Sequence, residues 1–172
     1  MLWIIALVTV ALIAAAAFTA RRGLIRLNDE RQQAWSALEA QLAKRQELMT
    51  RIVGLCARLL HEEHEAIERV IHAADAVQTA VRNGDIPALA AAEKSHRAAA
   101  ETLFAITGNY PQLAGSKAFT ALRDRVATLD GRVAERREQY NAVASVLNFR
   151  CDAFPHRLVS RMLGLRPAPI LP

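Results

Sequence analysis

Residues 35–59 read WSALEAQLAKRQELMTRIVGLCARL. Within them Trp35, Leu38, Leu42, Met49, Ile52, Cys56 and Leu59 recur at spacings of 3, 4, 7, 3, 4 and 3. This is the seam of one helix face, interrupted only by Arg45. Phe119, Leu122, Val126, Leu129, Val133, Tyr140, Val143 and Leu147 form a second long seam, interrupted by Arg136. Ile67, Val70, Ala74, Val77 and Val81 form a third, and Leu89, Ala92, His96, Ala99, Leu103 and Ile106 a fourth. Stop signals separate them. In Asn83-Gly84-Asp85 followed by Pro87, the Gly suits a helix C-terminus, the Asp an N-cap and the Pro a first turn. Gly108-Asn109-Tyr110-Pro111, then Gly115-Ser116, mark another break, and Phe154-Pro155 ends the last long helix. The break between the first and third seams falls near His61 to His64, where no Gly or Pro helps, so a continuous helix over 26–82 competes with it.

The wider chain agrees. Its 172 residues are 52% apolar and 5% aromatic, with 7 Gly and 6 Pro. That content excludes a disordered chain, and the scarcity of aromatic and turn residues argues against a sandwich or barrel. The expected fold is all-α: an N-terminal transmembrane helix followed by an antiparallel, up-down-up-down four-helix bundle. The bundle helices are expected over 26–60, 62–82, 87–108 and 116–150. The organisation is an anchor over 1–20, a bundle over 21–154 and a basic, apolar tail over 155–172.

Met1 to Ala20 carries no charge, and Thr9 and Thr19 are its only weakly polar residues. Twenty helical residues span ~30 Å, the thickness of a bilayer's hydrocarbon core. Trp3 suits one interface, and Arg21, Arg22 and Arg26 follow at the other end. A cleavable signal peptide is the rival reading, with Ala14 to Ala17 as the cleavage region. It would place positive charge before the apolar run, whereas the run here begins at residue 1. An uncleaved anchor is expected, with the arginine side in the cytoplasm and the N-terminus outside. Cys56 and Cys151 make no metal or redox spacing, and the topology puts them near opposite ends of the bundle.

Several landmarks together resemble the LemA family of bacterial membrane proteins. They are Leu27-Asn28, Ala34-Trp35-Ser36, Gln41-Leu42-Ala43-Lys44-Arg45, His61-Glu62 and the block from Leu103 to Leu113. Phe119, Tyr140-Asn141-Ala142-Val143, Asn148, Phe154-Pro155 and Leu163-Gly164-Leu165-Arg166-Pro167 complete the set. The resemblance implies a bacterial inner-membrane anchor, a helical bundle and no established enzymatic activity. Its relatives include a magnetosome membrane protein and neighbours of membrane metalloproteases, which points towards membrane organisation.

Candidate chemistry is sparse. His61-Glu62-Glu63-His64-Glu65 is not the zincin pattern, because the second His comes one position early. Glu93 and His96 match half of a di-iron carboxylate site, and Glu68 and His72 could approach them from the neighbouring helix. Lacking a second copy of the motif, the expected state of His96 is a buried, neutral imidazole with a hydrogen-bond partner. Arg45 and Arg136 are expected to snorkel at the seam edge, with Glu39, Glu135 and Glu138 as available partners; a charged network fixing helix register is the alternative. Antiparallel packing sets Asn28 level with Asn148, and Trp35 level with Tyr140 and Asn141. These five either fix register or form a polar groove that receives a partner's backbone.

The tail from Pro155 to Pro172 has no acidic residue. Arg157, Arg161 and Arg166, with Arg21, Arg22 and Arg26, are therefore candidates for anionic-lipid contact; a short helix capping the bundle is the plainer reading. The net charge of +5 is spread among acids along the helices, so nucleic acid is not an expected partner. No catalytic, cofactor or metal residue is assigned. The expected function is a non-enzymatic, membrane-anchored scaffold or adaptor binding other membrane or cytoplasmic proteins, or itself. A metal-dependent enzyme and a lipid-surface sensor are the alternatives.

Overall fold

The computed structural model describes residues 2–59, 62–153 and 156–172. Six helices follow one another: α1 (Leu2–Leu59), α2 (His64–Asn83), α3 (Ile86–Thr107), α4 (Pro111–Ala114), α5 (Lys117–Asp152) and α6 (His156–Met162). No strand occurs among the described residues, so the chain is all-α.

The apolar opening and the first rod are one helix. α1 contains no Pro, and its Gly23 is followed at once by good helix formers and by the Arg26–Glu30 pair one turn apart, at 2.9 Å. A single helical Gly costs only ~1 kcal/mol, too little to break such a run. α1 ends at Leu59 and α2 starts at His64, with Glu62 and Glu63 outside both, so the chain does break in this region. Glu63 caps α2 without a side-chain hydrogen bond, which explains the weak sequence signal. His61 and Phe154-Pro155 lie outside the described residues.

The stop between α2 and α3 has the expected chemistry. Gly84 sits at φ +63°, and its N–H donates to the Val81 carbonyl at 3.0 Å. Asp85 N–H reaches Ala80 O at 3.0 Å, and the Asp85 carboxylate accepts from Ala88 N–H at 3.0 Å. Two of the last carbonyls of α2 and one of the first N–H groups of α3 are thereby satisfied. The Tyr110-Pro111 break contains a further short turn of helix, α4, whose Leu113 is buried.

The chain forms two compact units. The larger comprises Ala37–Arg137 with Leu171–Pro172. Its main core takes Met49, Ile52 and Cys56 from α1, Ala66, Ile67 and Val70 from α2, and Ala100 and Leu103 from α3. Leu113, Phe119 and Val126 complete it. Residues from each of the four seams thus share this core, and the Phe104 and Phe119 rings meet edge-on at 6.4 Å. Leu59, last of the first seam, is exposed.

The other unit comprises the residues up to Ser36 and Glu138–Ile170. Here Leu24, Leu147 and Cys151 are buried under Leu27, Val159, Leu163 and Leu165, so α6 lies against α1 and α5 just after the apolar stretch. Within that stretch the large apolar side chains from Trp3 to Phe18 are exposed. Its two hydroxyls are satisfied by their own helix: Thr9 Oγ1 donates to Ile5 O at 2.8 Å, and Thr19 Oγ1 to Ala16 O at 2.9 Å. Among the described residues, one helix is long and apolar enough to cross a membrane, and it is α1.

Candidate functional site

Asn148, on α5, holds a strap that follows α6. Its Nδ2 donates to the Ala168 carbonyl at 2.8 Å, and its Oδ1 accepts from the Ala168 N–H at 2.7 Å. The backbone N–H can only meet oxygen, so the two contacts together fix the amide's orientation. Two turns earlier on α5, the Tyr140 hydroxyl donates to the Pro169 carbonyl at 3.0 Å. Trp35 packs edge-on to the Tyr140 ring, with centroids 5.5 Å apart, and fixes it from the α1 side. Ala168 is buried, whereas Pro167, Pro169 and Ile170 are exposed. The site therefore grips backbone and one small side chain rather than a particular sequence.

α6 sets where the strap starts. Ser160 Oγ donates to Cys151 O at 3.3 Å and to Arg157 O at 3.0 Å, tying the helix to the end of α5. Gly164, at φ +66°, then ends α6, with Leu165 N–H on Ser160 O at 3.0 Å. That left-handed turn needs glycine and redirects the chain into the strap.

Of the five residues expected to set register or form a partner groove, Trp35 and Tyr140 touch, and Tyr140 and Asn148 share the strap. Asn28 accepts from Arg31 Nη2 at 3.3 Å, one turn along its own helix. Asn141 is half-buried and has a partner. Ala168 carried no sequence signal, because an extended segment has no helical period. The prolines at 167, 169 and 172 showed only that the helix stops.

The larger unit holds a second polar cluster. Arg45 is buried and makes a forked pair with Glu93 of α3, one arm of it at 3.0 Å, and its Nη1 also reaches Asp130 Oδ1 of α5 at 3.2 Å. This corrects the expectation of a snorkelling Arg45 paired with Glu39, Glu135 or Glu138. The seam gap at Arg45 faces inward, and acids on two other helices meet it there. Burial works against the charge, but the hydrogen bonds and charge of Glu93, then Asp130, outweigh it and hold the guanidinium above its ordinary pKa. Arg136 is half-buried and also has a partner. Leu38, Leu42, Val133 and Leu171 line a cleft of about 290 Å³ beside the cluster, and Arg137 Nη1 donates to the Pro172 backbone oxygen at 2.9 Å.

His96 is buried, and its Nε2 has no hydrogen-bond partner among the described residues. Burial, followed by the charge of Arg45, lowers its pKa, with Glu93 and Asp130 opposing. It lines a second cleft, of about 490 Å³, with Met49, Phe104 and Arg123. Glu68 and His72 are exposed rather than turned towards it, and Glu68 lies 3.7 Å from His64. Among the described residues, no three His, Cys, Asp or Glu side chains gather as metal ligands. Cys56 and Cys151 are both buried free thiols, and burial pushes Cys56 up to about 11.

Arg21, Arg22, Arg26, Arg157, Arg161 and Arg166 are all exposed. Arg22 lies over the Phe18 ring at 4.5 Å, and Arg26 pairs with Glu30. Exposed Phe149, Leu158 and Met162 accompany them in the same unit.

The LemA family model matches residues 34–171. The chain belongs to the LemA family. The match takes in the Arg45 cluster, Tyr140, Asn148, the α6 turn and the strap, and leaves out the apolar stretch. None of the curated proteins compared with the chain matches it.

Proposed function

We propose that this LemA-family chain is a non-enzymatic scaffold: a helical bundle tethered to the bacterial inner membrane by residues 1–20, with an up-down-up-down arrangement. The N-terminus lies outside, and residues 21–172 lie in the cytoplasm, where they bind other proteins or further copies of the chain. One observation carries the reading. The most developed polar site, at Tyr140 and Asn148, is built to hold a peptide backbone and presents no nucleophile or acid–base pair. The exposed apolar stretch that opens α1, with its hydroxyls internally satisfied, supports the tether. Isolation from membranes in mild detergent at native expression tests the scaffold. A complex, with itself or with other proteins, is expected; recovery of the lone monomer would overturn it.

A second element of the proposal is contact with anionic lipid. α6 packs on Leu24, four residues past Ala20, which is a rise of ~6 Å along the helix. That sets exposed Leu158 and Met162, with Arg157 and Arg161, at headgroup level once the apolar stretch is in a bilayer. Flotation with vesicles containing phosphatidylglycerol should exceed flotation with neutral vesicles. Equal flotation would remove the electrostatic contribution.

A further inference from the structure

We propose that the cleft at His96 is a binding site for a small apolar carboxylate, held by Arg97 and Arg123 over an apolar floor. The inference stands apart from the tether and the scaffold, and gives the bundle a small-molecule ligand.

The cleft lies wholly within the larger unit. α1 supplies buried Met49, α3 supplies buried Ala100 and half-buried Phe104, and α5 supplies buried Val126. Its volume of about 490 Å³ falls within the range of small-molecule sites, roughly 300–1,000 Å³. Such a floor suits an alkyl or aromatic body, and a flexible thioether beside an aromatic ring can adapt to either.

The rim selects the head group. Arg97 of α3 and Arg123 of α5 both line the cleft and are exposed, and neither has an ion-pair partner among the described residues. The Arg123 guanidinium lies 5.5 Å from the centre of the Phe104 ring, so its charge already sits over an apolar wall. Arg45, at the same cleft, is spent on Glu93 and Asp130. Outside that cluster Glu101 is the acid on the rim. Two unpaired guanidiniums against one carboxylate favour a single negative charge over a cation. A guanidinium's planar fork matches the two oxygens of a carboxylate.

His96 adds a polar atom beneath the rim. Its ring is buried and lines the cleft, and Nε2 has no partner among the described residues. Burial, then the charge of Arg45, keeps the imidazole neutral at pH 7, so it offers a hydrogen bond without a second charge. A buried polar atom left unpaired is destabilising, and a carboxylate oxygen accepting from Nε2–H would offset that. A ligand held in this way would join α3 to α5 through Arg97 and Arg123.

Octanoate is the probe, with the full-length chain in nanodiscs of zwitterionic lipid. The protein carries labelled methionine methyls and labelled histidine rings. Met49 reports the cleft, and Met162, exposed in the other unit, reports partition into the bilayer. Octanoate should shift the Met49 methyl and the His96 ring saturably, at a concentration where Met162 does not follow. Octanol, which has the chain without the charge, should bind at least tenfold more weakly. Arg97→Gln with Arg123→Gln, both at exposed positions, should keep helicity and weaken octanoate at least tenfold. Equal binding of octanol, or unchanged affinity in the helical double variant, would overturn the carboxylate assignment. Shifts at Met49 that rise with those at Met162 and never saturate would reduce the effect to bilayer partition and overturn the site.

Discussion

The molecule has two polar sites that grip in opposite ways. The Arg45 cluster joins side chain to side chain across three helices of one unit. The Asn148 track joins side chain to backbone on a strap in the other unit. Arg45's side chain is 7% exposed, so its charge has no other solvent to turn to. The strap's N–H and carbonyls, once released, are free to bond water. A site of the first kind specifies how helices meet; a site of the second kind fixes the path of a segment that has no helix of its own. Mutation should separate the two.

The largest effect should follow Arg45→Met. Glu93 and Asp130 would lose their counter-charge, but Asp130's side chain is 50% exposed and can rehydrate. The loss should therefore sit near the low end of a broken buried pair, about 3 kcal/mol, read from the urea midpoint of helical circular dichroism. Adding Glu93→Leu should recover much of it. Asn148→Ala should cost about 1–2 kcal/mol. Its sharper signature is hydrogen exchange: the Ala168 amide should exchange far faster while amides of α2 and α3 do not change.

A pH titration distinguishes the sites further. His96 has a folded pKa below its ordinary 6.5, so the unfolded chain takes up a proton first as pH falls. Its contribution is complete above pH 6.5 and is lost as pH drops from there towards the folded value, by up to about 1.4 kcal/mol per unit. His96→Gln should flatten that slope without altering hydrogen exchange at the Ala168 amide. The smallest effect should be Tyr140→Phe, about 1 kcal/mol or less, since Trp35 still packs on the ring.

Much of this was legible in the residues. The seams at Met49, Ile52, Cys56 and at Phe119, Val126 appear as period, and Gly84-Asp85 as cap chemistry, because both are local. Trp35 opposite Tyr140 followed from antiparallel levels. The partners of Arg45 did not, since Glu93 and Asp130 lie 48 and 85 residues away and their choice depends on how helices rotate. A usable signal existed: Glu93 and Asp130 adjoin buried Ala92 and Leu129, so acids bordered the seams that an interrupting Arg would meet. The strap was invisible as a contact, because an extended segment carries no period. The continuity of α1 was missed because a change of composition at Arg21 was not a change of backbone.

The central claim is a retained tether with the bundle on its arginine side. Protease added to intact spheroplasts, with the protein followed by an epitope after Pro172 and by the mass of its N-terminal fragment, tests it most directly. Residues 21–172 should survive until the membrane is permeabilised, and the mature protein should still carry the apolar stretch. Digestion in intact spheroplasts, or a mature chain beginning after residue 20, would contradict it.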